Sequence, residues 1–182
     1  WKGRVGEPYA NMQYATRGHR VALCDENTAS DGEAVIEGFR RLGLGKIIGM
    51  RTWGGEIWLS SFNRLSDGGL ARAPMTGVYA DGEWLIEGHG VEPDIVVQNM
   101  PADVLAGRDE QLDTAIRFLL ERLLSRCRED WEIDYVEIDV SAHAPRMQRT
   151  LIELGFLPVA YVPAMVFHMV ERRDVIKLAR LL

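Results

Sequence analysis

The stretch RVALCDENTASDGEAVIEGFRRLGLGKIIGMRT, residues 20–52, determines the fold of this chain. A short apolar run predicts a buried strand at 20–24, helical spacing predicts a helix at 31–42, and a second apolar run predicts a strand at 46–52. Gly43 and Gly45, which follow this helix, are typical of a helix end. A strand, a helix and a strand in this order form a parallel pair with a right-handed crossover. We therefore expect an α/β fold.

Ser30 directly precedes the predicted helix, and its local pattern allows two interpretations. Ser30 and Glu33 fit the S-x-x-E capping box, in which hydroxyl and carboxylate satisfy free amides of the first turn. Asp31 would add a favourable charge at the positive end of the helix dipole. The other interpretation is that the Ser30 hydroxyl is a nucleophile. The local pattern favours the cap, and the choice depends on the rest of the chain.

Composition and charge exclude several classes of function. The 182 residues are 47% hydrophobic and 26% charged, as in an ordinary globular protein, and the net charge of −6 gives no basic surface for nucleic acid. No apolar run reaches the roughly 20 residues that span a bilayer. The chain has two cysteines, Cys24 and Cys127, which lie far apart in sequence. This argues against a disulfide framework, and neither cysteine has zinc-site spacing. We expect no metal, no organic cofactor, no nucleic acid and no membrane partner, and a cytoplasmic location.

The remaining sequence predicts further elements on either side of a boundary near residue 128. Clustered glycines between short apolar runs predict a string of hairpins at 53–98. A leucine-rich stripe predicts a long helix, and a charged break, REDWE (128–132), follows it. These later elements are a helix at 109–127, a strand at 135–140, a helix at 144–155, a strand at 158–167 and a short amphipathic helix, ERRDVIKLARLL, at 171–182.

Five separated motifs carry a family resemblance. They are NTASDGE (27–33), RRLGLGKIIGMRTWGGEIW (40–58), LSDGG (65–69), IEGHGVEPDIVV (86–97) and GRDEQLDTAI (107–116). In order and spacing they resemble the C-terminal part of the catalytic domain in the tricorn-like branch of the tail-specific serine proteases. The resemblance runs from about residue 20 to 124. It implies a partial ClpP/crotonase-like protease core that acts on peptides.

The resemblance also implies roles for individual residues. Ser30 stands at the nucleophile of the family, and the backbone amide of Asp31 would hold the oxyanion of the tetrahedral intermediate. Glu87 stands at the glutamate of a Ser-His-Ser-Glu relay, although Gly88 replaces the asparagine usual in that motif. The RTWGG run, Arg51, Thr52, Trp53, Gly54 and Gly55, would lie near the substrate pocket. We expect the two glycines to permit a tight turn and Trp53 to pack.

The resemblance leaves the base unassigned. In that family the catalytic histidine and the second oxyanion donor lie far upstream, before an inserted peptide-binding domain. This chain begins at Trp1, about thirty residues before Ser30, so we expect both to be missing. His89, in the Glu87 loop, is the candidate base within the chain. A serine hydroxyl without a base is a weak nucleophile, so we expect negligible peptidase activity from this chain alone.

Residues 134–167 resemble the closing strand, helix and strand of a GNAT acyltransferase. The glycine-rich R/Q-x-x-G-x-G/A turn that binds the coenzyme A pyrophosphate in that family is absent. Leu151 lies four residues before Gly155, where many members carry a tyrosine acid, and leucine has no proton to donate. We therefore expect packing and not catalysis from this part.

The sequence predicts three segments and leaves alternative functions open. The segments are a protease-derived part at 1–124, a junction at 125–133 and a GNAT-like part at 134–182. The first alternative is a non-catalytic peptide-binding or scaffold module that kept the protease fold. A second is an acyl-CoA-dependent N-acyltransferase fragment. A third is an assembly, either a homo-oligomer or a complex with a complementing upstream domain, in which another polypeptide supplies the histidine.

Overall fold

The computed structural model describes residues 18–168 and 171–182, and it has the expected mixed α/β class. The elements in chain order are β1 (Val21–Cys24), α1 (Asp31–Arg41), β2 (Lys46–Gly49), β3 (Trp58–Leu59), β4 (Pro74–Thr76), β5 (Tyr79–Ala80), β6 (Glu83–Trp84), β7 (Ile95–Val96), α2 (Pro101–Leu105), α3 (Glu110–Glu129), β8 (Tyr135–Ser141), α4 (Pro145–Glu153), β9 (Leu157–His168) and β10 (Glu171–Leu181).

The first sheet is parallel, with the strand order β1, β2, β7. Val21 pairs with Lys46 at one end of the β1–β2 ladder and Cys24 with Gly49 at the other. Helix α1 connects these two strands and packs on both. The strand–helix–strand prediction for residues 20–52 is therefore confirmed, and the loop that carries Ser30 leaves the carboxyl end of β1.

An apolar cluster holds α1 against this sheet. Its buried members are Cys24, Ile36, Ile47, Leu85, Ile86 and Val91, with Phe39 packed at the margin. Ile48, beside Ile47 on the same strand, is also completely buried. Since neighbours on a strand point to opposite faces, Ile48 faces away from α1. Helix α3 also packs on β1 and β2, so this sheet has helical contacts beyond α1.

The glycine-rich segment after β2 forms short hairpins, as predicted. Strand β3 pairs antiparallel with β4, and β5 pairs antiparallel with β6. Leu85 and Ile86, directly after β6, enter the cluster under α1. This anchoring brings the loop with Glu87 back to the edge of the first sheet.

The second sheet is antiparallel, with the order β8, β10, β9, and it corrects one expectation. Residues 171–182, predicted as a closing amphipathic helix, form β10, which is the central strand. Val175, Leu178 and Ala179 are buried on it, at the i, i+3 and i+4 positions that a helix would use. The pairing of β10 with β9 has register irregularities between Arg173 and Val175 and between Lys177 and Leu178, so the buried residues of β10 do not alternate strictly. Their spacing therefore imitated that of a helix.

Helix α3 lies between the two sheets in sequence and contributes to a second core. Leu124 packs with Val140, Leu151, Leu154, Phe156 and Leu178, next to α4. The helix runs to Glu129, two residues beyond its predicted end. The division at 125–133 stays a prediction. Within the part of the chain that the structure describes, no helix has the length and apolar character needed to cross a membrane.

Candidate active site

Ser30 lies at the start of α1 in an unusual backbone conformation. Its φ is 54° and its ψ is −130°, a region that residues with a Cβ rarely occupy. Such a conformation costs on the order of 1–3 kcal/mol and persists only where the surroundings hold it. The side chain is exposed. The residue therefore stands on a strained turn at the positive end of a helix, where backbone amides point at developing negative charge.

The main chain of Ser30 is held from both sides by Glu33, in a capping-box arrangement. The Ser30 N–H donates to Oε2 of Glu33 at 3.3 Å, and the Glu33 N–H donates to the Ser30 carbonyl oxygen at 2.7 Å. The next amide, that of Asp31, has no hydrogen-bond acceptor among the described residues. That amide is therefore free to meet an incoming oxygen atom.

Glu33 is a completely buried carboxylate with four donors. Oε1 accepts from the Thr52 hydroxyl and from the Gly54 N–H, and Oε2 accepts from the Gly55 and Ser30 N–H groups. Burial alone would raise the pKa of Glu33, but these hydrogen bonds to the charged form outweigh burial and hold the pKa below its ordinary value. The sequence indicated only a helix cap for Glu33, because its other donors lie about twenty residues away.

Four consecutive backbone amides, those of residues 54–57, point at two carboxylates. The first two donate to Glu33 at 2.7 and 2.8 Å, and the next two donate to Oε2 of Glu87 at 2.8 and 3.0 Å. We call residues 54–57 the amide turn. It brings the Ser30 turn and Glu87 to neighbouring positions, although Ser30 and Glu87 share no hydrogen bond of their own.

Close backbone packing holds the RTWGG run against the Glu87 loop. Gly54 has a φ of 91°, and a Cβ there would lie 2.9 Å from the Gly90 nitrogen. The Thr52 hydroxyl accepts from the Val91 N–H at 2.7 Å while it donates to Glu33. Glycine at 54 and a hydroxyl at 52 are thus required by contacts on both sides. A tight turn at Gly54 follows from this geometry.

Two other residues of the run are placed at its margin. The Arg51 guanidinium donates to the His89 carbonyl oxygen and lies 3.8 Å from the Glu92 carboxylate. Trp53, which was expected to pack, is 66% exposed and lies outside the buried core. Its ring lies beside Gly55, where a Cβ would come within 2.8 Å of it.

No described histidine side chain is hydrogen bonded to Ser30. His89 is exposed, and its Nδ1 lies 2.9 Å from the Gly90 carbonyl oxygen. His19 lies beside two arginines of α3, and His143 follows β8 in the second sheet. The hydrogen bonds of the described residues join His89 neither to Ser30 nor to Glu87.

Glu56 is a site residue that the sequence pattern does not reveal. It is 3% exposed, and its Oε2 has no hydrogen-bond partner among the described residues. Burial, together with the negative charges of Asp31, Glu33 and Glu87, raises the pKa of Glu56. The site is therefore acidic, and one of its carboxyl groups has a raised pKa. The described residues contain no group of histidine, cysteine and acidic side chains that could hold a metal ion.

Comparisons with known proteins found similar chains among the proteases. The family model of Peptidase family S41 matches residues 2–97. Tricorn protease homolog 1 of Streptomyces coelicolor is 44% identical over 117 residues, which are 64% of this chain and 11% of that protein. The crystal structure of the tricorn protease aligns with a TM-score of 0.55 at 36% identity, over 68% of this chain and 13% of that one.

A partial likeness to acetyltransferases is also present. The spermidine/spermine N-acetyltransferase of Vibrio cholerae aligns over 36% of this chain and 39% of its own, at 20% identity and a TM-score of 0.35. Values this low support no conclusion about activity. Leu151, where a catalytic tyrosine would be sought, is completely buried in the second core.

The comparisons cover only a small part of the longer proteins. This chain spans about a tenth of the length of the curated relatives that it matches. Because the family model covers more than half of the 182 residues, the chain belongs to Peptidase family S41.

Proposed function

We propose that this chain carries the nucleophile side of a serine peptidase site that hydrolyses peptide bonds. Ser30 is the nucleophile, the Asp31 amide is an oxyanion donor and Glu87 is the relay carboxylate. The observation that supports this best is the turn at Ser30: a strained residue at a helix N-terminus, with an exposed side chain, followed by an amide without an acceptor. The run Arg51–Gly55 borders the same site.

The proposed chemistry is acyl transfer through the Ser30 oxygen. Oγ bonds to the carbonyl carbon of the peptide, its proton passes to a base, and the carbonyl electron pair moves onto oxygen. The Asp31 N–H donates to that oxyanion. On collapse the carbon–nitrogen bond breaks, and the leaving amine takes the proton. Water then hydrolyses the acyl ester by the same route.

The base is the missing component of this proposal. None of the described histidine side chains is bonded to Ser30, so we infer that a histidine from elsewhere completes the site. A further part of the protein, a second copy or a complementing polypeptide could supply it. His89 would need its ring to turn away from Gly90 in order to serve. We therefore expect negligible turnover of peptides by this chain alone.

The proposal implies a polypeptide substrate, and we propose a cytoplasmic location. It needs no metal or organic cofactor, because the serine, the amide and an imidazole supply all the chemistry. Cys24 and Cys127 are buried and unpaired, which agrees with the cytoplasm. Association with a second copy can be measured by light scattering on the purified chain.

A fluorophosphonate probe tests the proposal directly. We expect little labelling of Ser30 in buffer, and labelling that rises when free imidazole is added as a substitute base. Ser30→Ala abolishes it, whereas Ser61→Ala, at a nearby exposed serine, leaves it unchanged. Labelling that is independent of imidazole would identify a base inside the chain, with His89→Ala as the next variant.

A non-catalytic peptide-binding module is the second candidate. It is favoured because no histidine in the described part of the chain is hydrogen bonded to Ser30. It predicts a folded chain without labelling of Ser30, even with imidazole. Such a module would still bind unstructured peptides, which isothermal titration calorimetry would detect. An acyltransferase would bind acetyl-CoA in the same assay.

A further inference from the structure

We infer that Glu33 is a positioning residue, which holds the Ser30 nucleophile and the Glu87 carboxylate at a fixed separation through the amide turn. This inference rests on the proposed function, in which Ser30 attacks and Glu87 belongs to the relay. It gives Glu33 a role beyond the helix cap that its sequence pattern indicates.

The first step of the argument is the complete burial of the Glu33 carboxylate. A buried charge is costly unless it is fully hydrogen bonded. Here each oxygen accepts two hydrogen bonds, and three of the four donors belong to residues 52–55. The carboxylate is therefore satisfied only when the start of α1 and the RTWGG run lie together.

The second step is the control of Ser30 itself. Both main-chain polar groups of Ser30 bind Glu33, the N–H through the carboxylate and the carbonyl through the Glu33 amide. These bonds offset the strain of a φ of 54° and hold the peptide plane that carries the Asp31 N–H. Without the carboxylate, the Ser30 turn would lose the acceptor that holds its amide.

The third step is the connection to Glu87. The amide turn uses consecutive peptide groups, two for Glu33 and two for Glu87. Peptide groups are planar, and Gly54 is packed against Gly90, so a displacement of the Gly54 and Gly55 amides also displaces the two amides that follow them. Glu33 and Glu87 therefore bind adjacent parts of one short segment.

The decisive experiment compares Glu33→Gln with Glu37→Gln, the same change one turn further along α1. An ¹⁵N-labelled chain is titrated with acid, and the amide signals of Glu56 and Ile57 report the protonation of Glu87. Glu87→Gln identifies that response. If Glu33 acted only as a cap of α1, Glu33→Gln would leave the response of the Glu56 and Ile57 signals to Glu87 unchanged.

We expect the Glu56 and Ile57 signals to lose their response to Glu87 in Glu33→Gln and to keep it in Glu37→Gln. We also expect imidazole-dependent labelling of Ser30 to fall about tenfold or more in Glu33→Gln, because small displacements of reacting groups are costly. An unchanged Glu87 titration in a folded Glu33→Gln chain would overturn the inference.

Two further results separate the possible failures. If wild-type Ser30 is not labelled even with imidazole, the proposed function fails, while the amide titration still decides the role of Glu33. If Glu33→Gln does not fold, Thr52→Val takes its place in the experiment. This variant removes one of the four hydrogen-bond donors to Glu33 and keeps the charge of the carboxylate. We expect Thr52→Val to weaken the response of the Glu56 and Ile57 amide signals and also the imidazole-dependent labelling of Ser30. A folded Thr52→Val chain in which neither measurement changes would contradict the inference.

Discussion

The regions around the two three-stranded sheets bury different kinds of side chain. Six polar or charged side chains are buried in the described residues, and four of them, Glu33, Thr52, Glu56 and Ser60, lie between residues 33 and 60. The second sheet, with α4, buries only Thr150 of this set around an apolar cluster. Burial of polar side chains costs free energy of folding. Their concentration between residues 33 and 60 therefore indicates that this part of the chain keeps a particular arrangement of polar groups at the expense of stability.

This difference implies two kinds of sensitivity. The first region depends on hydrogen bonds between carboxylates and backbone amides, so protonation of the Glu33 carboxylate should lower its stability. The second depends on packing, so a cavity should weaken it and pH should matter less. Substitutions in either region can test the contrast, in order of decreasing expected effect.

The largest effect is expected in the second core. Phe156 is completely buried, so Phe156→Ala removes a ring and leaves a cavity. We expect a loss of about 3–5 kcal/mol in the free energy of unfolding. Urea unfolding followed by far-ultraviolet circular dichroism measures it. Leu157→Ala, at the neighbouring residue with 68% exposure, is the control and should change little. A small effect of Phe156→Ala would show that packing does not dominate this region.

A smaller, pH-dependent effect is expected at Glu33. The glutamine amide offers a donor where backbone donors need an acceptor, so Glu33→Gln should cost about 1.5–3 kcal/mol at neutral pH. The folded pKa of Glu33 is lowered, so the wild-type advantage is full above the ordinary pKa, about 4.3, and is lost as pH falls through the lowered value. Urea unfolding at several pH values between neutral and acidic checks this, and a difference independent of pH would contradict it.

The smallest effect, of opposite sign, is expected at Glu56. Its folded pKa is raised, so the folded chain holds that proton more tightly than the unfolded chain does. The free energy of unfolding therefore falls as pH rises from about 4.3 through the raised pKa. At pH 8, Glu56→Gln should be more stable than wild type by about 1 kcal/mol, with exposed Glu83→Gln as the control. A destabilised Glu56→Gln would mean that the carboxylate has a cationic partner outside the described residues.

Local patterns predicted most of the elements. Apolar spacing and glycine stops placed β1, α1, β2 and α3 to within a few residues, since such signals act over one or two helical turns. The same reasoning failed for 171–182, because the pairing of β10 with β8 and β9 and its register irregularities depend on strands elsewhere in the chain and are absent from the local pattern. Family motifs predicted roles for Ser30 and Glu87, and those roles stay predictions.

The sequence alone determined the strand–helix–strand unit, its family and the position of a serine at a helix start. Tertiary structure decided what surrounds that serine. Glu33 receives donors from residues about twenty positions away, and residues 54–57 donate to two carboxylates. Oε2 of Glu56 is buried without a hydrogen-bond partner among the described residues. The physical reason is that hydrogen-bond satisfaction and desolvation depend on neighbours in space, which a pattern of neighbours in sequence does not contain.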